Sequence, residues 1–479
     1  MHQDNHEDNK VQMCVDATRD VGVGDYCTSF YLVRTNVVGL RFLLLILVTC
    51  SLILLSCGKQ QQEEGSTVGT STYKIDLKLD PAEQFLDVQC SLMMVSPADS
   101  LMSLEFCLHR QFSVHDVAGD NLSSYVFDTS EVYPLPYVPE GRVLTLNLSE
   151  PLYRGQQTAF EFRYSGYITA WPQWLANVVT EDWVELGLYL PWFPYNHEYG
   201  DFTFTVEVDC DTTYRIRSFG SPVRSGNKRG FQWPYPVNDI VLVASRDLKT
   251  ESIQQEGRVV KVHYVTVGDS TAHRLANDLS RILNTYESWF GSSQLPEVTL
   301  IQSAREKGGG YARPGLIVLG GLEDQAYADK HEGWFRYISH EAGHLWWHGA
   351  PVDNWEDWLN ESFAEYSALL AVREVFGEQS FQRRLDTMRK KISGTRPIWG
   401  INREGSSVDE SREIEIALYS KGPVLLNELS EKIGNTHFLA LCREMVCRDV
   451  ASTRQMLALL EEHEGKEISV WFEEMLKTR

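Results

Sequence analysis

Apolar and polar residues alternate in short segments from about residue 73 to residue 245. Residues 73–79 (Tyr-Lys-Ile-Asp-Leu-Lys-Leu) and 202–208 (Phe-Thr-Phe-Thr-Val-Glu-Val) are two examples. Successive side chains of a strand point to opposite faces, so this alternation predicts strands with one buried face. Proline and glycine punctuate the segments, as expected of turns. This region is therefore predicted to consist of antiparallel β-strands.

The pattern becomes mixed from about Leu248. Residues 259–265 predict a strand, and residues 272–290 predict an amphipathic helix because their apolar positions recur at helical spacing. Beyond Tyr419 the chain is predicted to be helical to its end. The expected fold class is therefore α+β, with a β-rich domain before a mixed, helix-rich domain.

These patterns predict four consecutive segments in the chain. They are a leader and signal peptide (1–56), a polar tether (57–72), an N-terminal β domain (73–247) and a C-terminal domain (248–479). The tether is predicted from its Gln, Glu, Gly, Ser and Thr content. The length is sufficient for two full-sized hydrophobic cores.

His340-Glu341-Ala342-Gly343-His344 is the most informative motif in the C-terminal domain. Apolar residues at helical spacing surround it, which predicts a helix ended by Gly349 and Pro351. Residues i and i+4 share a helix face, so His340 and His344 can present two imidazoles to one metal ion. Glu341 is then positioned as a general base that activates water. This is the zinc-hydrolase signature.

A catalytic zinc site needs a third protein ligand. Residues 358–376 predict a second helix, which begins Trp-Leu-Asn-Glu-Ser-Phe-Ala-Glu, and Glu361 near its start is the natural candidate. Glu365, one turn later, is an alternative ligand, or it supports a histidine ring from behind. His348 is a further alternative, although helices rarely direct three successive turns at one ion. A histidine at the helix end is the preferred interpretation of His348.

The two-His helix, the Asn-Glu-Ser-Phe-Ala-Glu string and the later Tyr419-Ser-Lys-Gly string together resemble the aminopeptidase N and leukotriene hydrolase family of gluzincins. The resemblance implies a β-sandwich or saddle domain followed by a thermolysin-like zinc peptidase domain with one Zn²⁺ per chain. In that family the Glu of an Asn-Glu-Gly-Phe-Ala string is the third ligand, and it falls on Glu361. The family's catalytic tyrosine falls on Tyr419, which implies a role in stabilising the oxyanion.

The sequence departs from the family at two places. Sixteen residues separate His344 from Glu361, a shorter stretch than in the family, with the shortening expected in the loop near Gly349. The family also carries Gly-Ala-Met-Glu-Asn on an edge strand, whose Glu binds the free amino group of the substrate. Here the corresponding segment is Gly309-Gly310-Tyr311-Ala312-Arg313, the predicted substrate-binding strand.

Ala312 replaces the amine-binding Glu of that strand, and Arg313 places a positive charge where a cationic amine would bind. A buried ammonium group without a carboxylate partner is costly. Three alternatives are therefore open: an aminopeptidase, an endopeptidase on the same scaffold, and a zinc- or peptide-binding lipoprotein without turnover. A purely structural lipoprotein would require the assembled motifs to be coincidental.

The N-terminal segment predicts export. Residues 42–55 form an uncharged apolar run preceded by Arg41, which fits the core of a signal peptide. The run ends Leu-Leu-Ser-Cys57-Gly, which resembles the bacterial lipobox. That resemblance implies cleavage before Cys57 and lipidation of its thiol. We therefore expect a lipid-anchored protein of the bacterial cell envelope, facing the periplasm or the exterior, with peptide substrates.

The net charge and the cysteine content bear on the partners and the disulfides of the protein. The formal net charge of −22 disfavours nucleic acid as a partner. Five of the nine cysteines follow Cys57, and an exported protein permits disulfides. Among the possible pairings, Cys90–Cys107 is the one that the sequence favours most.

Overall fold

The computed structural model describes residues 69–478, except 136, 172–176, 227, 256, 305–308 and 402–407. The described residues belong to one compact unit. The predicted signal segment 42–55 and Cys57 lie outside them. No helix among the described residues is both long and apolar enough to cross a membrane.

The N-terminal β domain contains three sheets. Their strand orders are β12-β13-β10-β1-β2-β7-β4, β3-β6-β5 and β11-β14-β9-β8. A short 3₁₀ turn, His197–Tyr199, precedes β10. The strands are β1 (Ser71–Asp80), β2 (Phe85–Val95), β3 (Leu101–His109), β4 (Ser113–Ala118), β5 (Leu122–Val132), β6 (Gly141–Leu152), β7 (Gln157–Tyr167), β8 (Val178–Val179), β9 (Val184–Leu186), β10 (Phe202–Asp209), β11 (Arg215–Arg217), β12 (Ser221–Ser225), β13 (Lys228–Val237) and β14 (Leu242–Ser245).

The apolar face of the seven-stranded sheet packs against the two smaller sheets. Alternate residues of β1 are buried, as the sequence pattern predicted. Phe106 of β3 meets Phe162 of β7 edge to face, with ring centroids 5.9 Å apart. The side chains of all three sheets form one hydrophobic core. The domain is therefore a β-sandwich, and β1 begins at Ser71, two residues before the predicted boundary.

One strand pair differs from the sequence prediction. β1 and β10 are parallel, with Ser71 opposite Phe202 and Lys78 opposite Asp209, so the expectation of purely antiparallel pairing is wrong here. The other side of β1 pairs with β2 in an antiparallel hairpin. A tight hairpin enforces antiparallel pairing, whereas a strand that returns after a long connection has no such constraint.

The C-terminal domain combines one mixed sheet with many helices. Its sheet has the order β15-β16-β17-β19-β18, which leaves β18 at one edge. The strands are β15 (Lys249–Gln255), β16 (Arg258–Tyr264), β17 (Glu297–Gln302), β18 (Gly309–Arg313) and β19 (Leu316–Gly320). The helices are α1 (Asp269–Phe290), α2 (Asp324–Asp329), α3 (His331–Gly343), α4 (Trp358–Phe376), α5 (Glu378–Lys391), α6 (Val408–Ile416), α7 (Gly422–Ile433), α8 (Asn435–Cys447), α9 (Thr453–Glu464) and α10 (Lys466–Lys477).

Two shorter helical turns lie between these elements. The 3₁₀ turn Trp355–Asp357 leads into α4, and the π-helical turn Ala417–Lys421 joins α6 to α7. The predicted second helix, 358–376, coincides with α4. The predicted helix of the His-Glu-Ala-Gly-His motif ends earlier than expected, at Gly343 instead of near Gly349.

The early end of α3 has a local cause. After Gly343 the backbone tightens, because the amides of Leu345 and Trp346 donate to the carbonyls three residues earlier. Gly343 also packs directly on α4: a Cβ at this position would lie 3.1 Å from Cα of Ala364. His344 nevertheless keeps a helical backbone conformation, so it still lies one turn beyond His340.

The predicted Cys90–Cys107 disulfide is contradicted. Neither Cys90 nor Cys107 forms a disulfide. Cys90 lies in the main core of the sandwich, whereas Cys107 lies in a separate small cluster with Tyr133 and Val143. The two strands belong to different sheets, so sequence proximity does not bring the thiols together.

Candidate metal centre and active site

His340, His344 and Glu361 converge between α3 and the start of α4. One ligand atom from each lies within 4.8 Å of the other two. The Nε2 atoms of His340 and His344 are 3.4 and 3.6 Å from Oε2 of Glu361. These are the three residues that the sequence predicted as metal ligands. The shorter loop between the helices therefore does not prevent Glu361 from reaching the two imidazoles.

The opposite nitrogen of each imidazole is held by the protein. Nδ1 of His340 lies 3.1 Å from Oε2 of Glu365, and Nδ1 of His344 lies 3.0 Å from the carbonyl oxygen of Trp347. Both partners are acceptors, so each holds a proton on Nδ1 and turns Nε2 of its imidazole toward Glu361. Glu365 thus lies where the sequence placed it in its supporting role, behind a histidine ring.

The electrostatics of this cluster favour a cation. Burial alone would lower the pKa of His340, but the carboxylates of Glu361 and Glu365 raise it to about 10. Burial alone would raise the pKa of Glu361, but the two histidines lower it to about 2. The field that holds a positive charge on His340 would equally stabilise a divalent ion.

The donor set fits zinc. Two imidazole nitrogens and one carboxylate are a common catalytic zinc set, which leaves a position for water or substrate. Oε2 of Glu361 is buried and has no hydrogen-bond partner among the residues that the structure describes. A buried carboxylate oxygen without a partner is costly, and coordination to a metal ion would satisfy it.

Glu341 and Tyr419 adjoin the three candidate ligands. Glu341 is buried, and burial raises the pKa of its carboxyl group, opposed mainly by His340 and His344. The Tyr419 hydroxyl donates a hydrogen bond to Glu361, and its ring centroid lies 5.6 Å from that of His340. Tyr419 lies in the π-helical turn, a rare conformation that is frequent at functional sites.

His348 does not belong to this cluster. Its Nδ1 lies 2.9 Å from the carbonyl oxygen of His344, and its side chain is exposed. It therefore occupies the helix-end position preferred from the sequence. The metal-ligand group found among the described residues consists of His340, His344 and Glu361.

The predicted substrate-binding strand, β18, is the edge strand that lies beside α3. A Cβ at Gly310 would lie 2.7 Å from the hydroxyl of Tyr337 on α3, so the strand and the helix approach closely. Side chains alternate along a strand. Gly310 and Ala312 therefore share the face toward α3, whereas Gly309, Tyr311 and Arg313 lie on the opposite face.

Arg313 pairs with a carboxylate of the N-terminal β domain. Its Nε is 2.9 Å from Oδ2 of Asp239, and both side chains are buried. The guanidinium also lies over the rings of Tyr311 and Tyr189, 4.8 and 5.5 Å from their centroids. The expectation that Arg313 opposes a substrate amine with its positive charge therefore needs correction, because Asp239 already balances that charge.

Tyr311 contacts a second buried carboxylate, Glu185. The Tyr311 hydroxyl donates to Glu185 at 3.2 Å, and Ser303 and Trp183 donate to its other oxygen at 2.6 and 3.1 Å. Sequence reasoning missed both Glu185 and Asp239. No local pattern marks them, since each is recognised only through its contact with a distant strand.

The fold and the site together define a class. A helix with two histidines four residues apart, a glutamate ligand candidate on the following helix and a glutamate beside the first histidine form the gluzincin arrangement of a zinc peptidase. Residues 274–474 match the family described as the Peptidase family M1 domain. The match assigns an M1-type peptidase domain to these residues, which lie in the C-terminal domain.

Known relatives agree with this assignment. The chain is 25% identical over 236 residues to Aminopeptidase M1-D of Oryza sativa subsp. japonica. This alignment covers 46% of this chain and 27% of the rice protein. The chain is 26% identical over 206 residues to a leucyl aminopeptidase of Saccharolobus solfataricus, covering 39% and 26%. The chain thus spans about a quarter of the length of these curated relatives.

Solved structures share the two-domain architecture. The M1 zinc metallopeptidase from Deinococcus radiodurans superposes with a TM-score of 0.66 at 18% identity, covering 85% of this chain and 94% of that one. A mutant of that enzyme bound to a Tyr-Ser-Ala substrate gives a TM-score of 0.65 at 17% identity. At this identity the likeness establishes the fold.

Proposed function

We propose that this chain is a zinc-dependent peptidase that hydrolyses peptide bonds. The observation that carries the proposal is the convergence of His340, His344 and Glu361. One buried oxygen of Glu361 lacks a hydrogen-bond partner within the described part of the chain. Glu341 and Tyr419 adjoin this cluster and supply the two remaining chemical functions of a hydrolase. One zinc ion per chain satisfies the donor set.

Each residue has a distinct role in the proposed reaction. Bound zinc would supply a Lewis acid that acidifies water and polarises a carbonyl group. Glu341 accepts the proton of the attacking water and passes it to the leaving amine. Tyr419 donates a hydrogen bond to the carbonyl oxygen as that oxygen gains negative charge. Glu365 keeps the His340 ring in its ligating orientation.

Two modes of cleavage are candidates. Removal of N-terminal residues is the first, because the curated relatives are aminopeptidases. Internal cleavage is the second, favoured by β18: Ala312, on the face toward α3, offers no carboxylate for a substrate ammonium group. Arg313 cannot replace it, since its charge is positive and is already paired with Asp239.

A peptide library separates the two modes. The zinc-loaded protein is incubated with mixed peptides, half of them N-terminally acetylated, and the products are read by mass spectrometry. Loss of single N-terminal residues from free-amine peptides alone supports the aminopeptidase. Cuts within acetylated peptides support the endopeptidase.

The matched control is Glu341→Gln, which removes the general base and keeps the shape of the side chain. We expect it to bind zinc and to lose about 10²–10⁴-fold in turnover. If the wild-type protein binds zinc but cleaves neither peptide set, the peptidase proposal fails. A silent zinc- or peptide-binding protein then becomes the better description.

We also propose that the chain is lipid-anchored at the bacterial cell envelope through Cys57. The support is the sequence alone: an apolar run at 42–55 that ends in a lipobox-like string. Labelling of expressing bacteria with a clickable fatty acid tests this directly. The label should disappear in Cys57→Ser and persist in Cys447→Ser; an unlabelled wild-type protein contradicts the proposal.

A further inference from the structure

Ser362 links the metal site to the tyrosine. It follows Glu361 on α4 and is fully buried. Its hydroxyl donates a hydrogen bond of 2.7 Å to the carbonyl oxygen of Leu418, which lies in the π-helical turn directly before Tyr419. The residue next to a candidate zinc ligand therefore binds the residue next to the candidate oxyanion donor.

The Leu418 carbonyl needs this donor because of the local backbone. In an α-helix the amide of Gly422 would donate to the carbonyl of Leu418, four residues earlier. In the π-helical turn Gly422 donates instead to Ala417, five residues earlier. The next residue, Pro423, has no N–H to offer. Neither helical pattern supplies Leu418 with a donor, and Ser362 takes that position.

Steric contact adds a second constraint. A Cβ at Gly422 would overlap the side chain of Ser362. Ser362 thus lies against the turn at both Leu418 and Gly422, on either side of Tyr419. The far end of the turn is held separately, because Nζ of Lys421 donates to the carbonyl of Arg396 at 2.9 Å. Loss of the serine hydroxyl should therefore shift the turn without unfolding it.

We propose that Ser362 is a positioning residue that holds Tyr419 in register with Glu361 and the metal site. The proposal rests on the proposed peptidase function for its effect on catalysis. The anchoring of the π-helical turn by Ser362 does not depend on turnover. In the family pattern that the chain resembles, this position is glycine, so the serine is a feature of this sequence.

The test compares Ser362→Ala with Ser469→Ala. Ser469 is also a buried helical serine, and its hydroxyl donates to the carbonyl of Leu457 at 2.8 Å, so it controls for the loss of such a bond. We expect comparable melting temperatures for the two variants. Only Ser362→Ala should lower kcat, by about tenfold, with little change in KM, because a small misplacement of a catalytic group is costly.

A double-variant comparison identifies the route of the effect. If Ser362 acts through Tyr419, then adding Ser362→Ala to Tyr419→Phe should leave kcat unchanged within about twofold. If Ser362→Ala lowers kcat as much in the Tyr419→Phe variant as in the wild type, the proposal is overturned. An unchanged kcat in Ser362→Ala alone also overturns it.

Hydrogen exchange supplies a readout that needs no turnover. The peptide containing the π-helical turn should exchange faster in Ser362→Ala than in Ser469→Ala, at equal zinc content. Equal exchange overturns the anchoring role whether or not the wild type is active. The two proposals can also fail separately. If the wild-type protein has no turnover but the turn exchanges faster in Ser362→Ala, the peptidase function is refuted and the anchoring role is established.

Discussion

Nδ1 of His340 lies 3.1 Å from Oε2 of Glu365, and the other oxygen of the same carboxylate accepts a hydrogen bond from Arg336. The histidine ring is therefore oriented by a carboxylate that is itself fixed by a guanidinium. Outer partners of this kind set both the tautomer and the direction of a ligating imidazole. Zinc affinity should depend on residues that never touch the metal.

Glu365→Gln is expected to weaken zinc binding by about 10–100-fold. The neutral amide removes the charge that favours the ligating orientation of His340. Competition with a chromophoric chelator measures the change. Glu374→Gln is the control, since Glu374 is exposed near the end of the same helix. Equal zinc affinity in both variants would remove Glu365 from the metal site.

Gly422→Ala is expected to destabilise the protein by about 2 kcal/mol, because the added methyl group overlaps Ser362. Ser362→Gly should relieve this overlap, although glycine in a helix is itself unfavourable by about 1 kcal/mol. Urea unfolding of both single variants and the double variant measures the coupling. If the double variant is only as stable as the sum of the two single effects predicts, the two positions do not compete for space.

Asp239→Asn leaves Arg313 buried without a counter-charge. Breaking a buried ion pair in this way costs about 3–5 kcal/mol. The exposed pair Arg154–Asp99 provides the contrast, since Asp99→Asn should cost less than about 1 kcal/mol. Chemical unfolding compares the two variants. If Asp239→Asn lowers the free energy of unfolding as little as Asp99→Asn does, the Arg313–Asp239 pair is solvated in solution.

Acid should destabilise the N-terminal β domain partly through His109. Burial lowers the pKa of this histidine to about 4, although its Nε2 lies 3.0 Å from the carbonyl oxygen of Ala170. The pKa in an unfolded chain is about 6.5. The unfolded state therefore binds the proton first as pH falls. Stability from the neutral ring is full above pH 6.5 and is lost between pH 6.5 and 4, by roughly 3 kcal/mol at the lower limit.

His109→Gln should reduce this acid sensitivity. Glutamine can donate and accept as the neutral ring does, but it does not bind the proton. The free energy of unfolding at pH 7.5 and at pH 5 is compared with that of His115→Gln, a substitution at an exposed position. The same pH dependence in both variants would exclude His109 as a source of the effect.

Local sequence patterns predicted the parts of this molecule that depend on local spacing. The buried alternation of β1, the extent of α4 and the shared face of His340 and His344 all follow from the period of a strand or helix. The third ligand candidate, Glu361, came from its place near the start of the second predicted helix and from family resemblance. The structure brings it to the two histidines. Glu365 was assigned from its spacing, one turn beyond Glu361.

The features that the sequence did not predict depend on contacts between distant residues. The parallel pairing of β1 with β10 and the Arg313–Asp239 pair each join segments far apart in the chain. The π-helical turn accepts a hydrogen bond from Ser362, which lies more than 50 residues away from Leu418. Hydrophobic periodicity carries no information about such partners, so no window of sequence could have revealed them.

The inner face of the C-terminal sheet is shared with the other domain. Ile301, Tyr311, Leu316 and Val318 belong to the same hydrophobic core as the strands of the β-sandwich. A fragment that began near Lys249 would keep every candidate zinc ligand and yet expose this apolar face to water. The zinc site and the β-sandwich should therefore fold and be expressed together, as a single unit of folding.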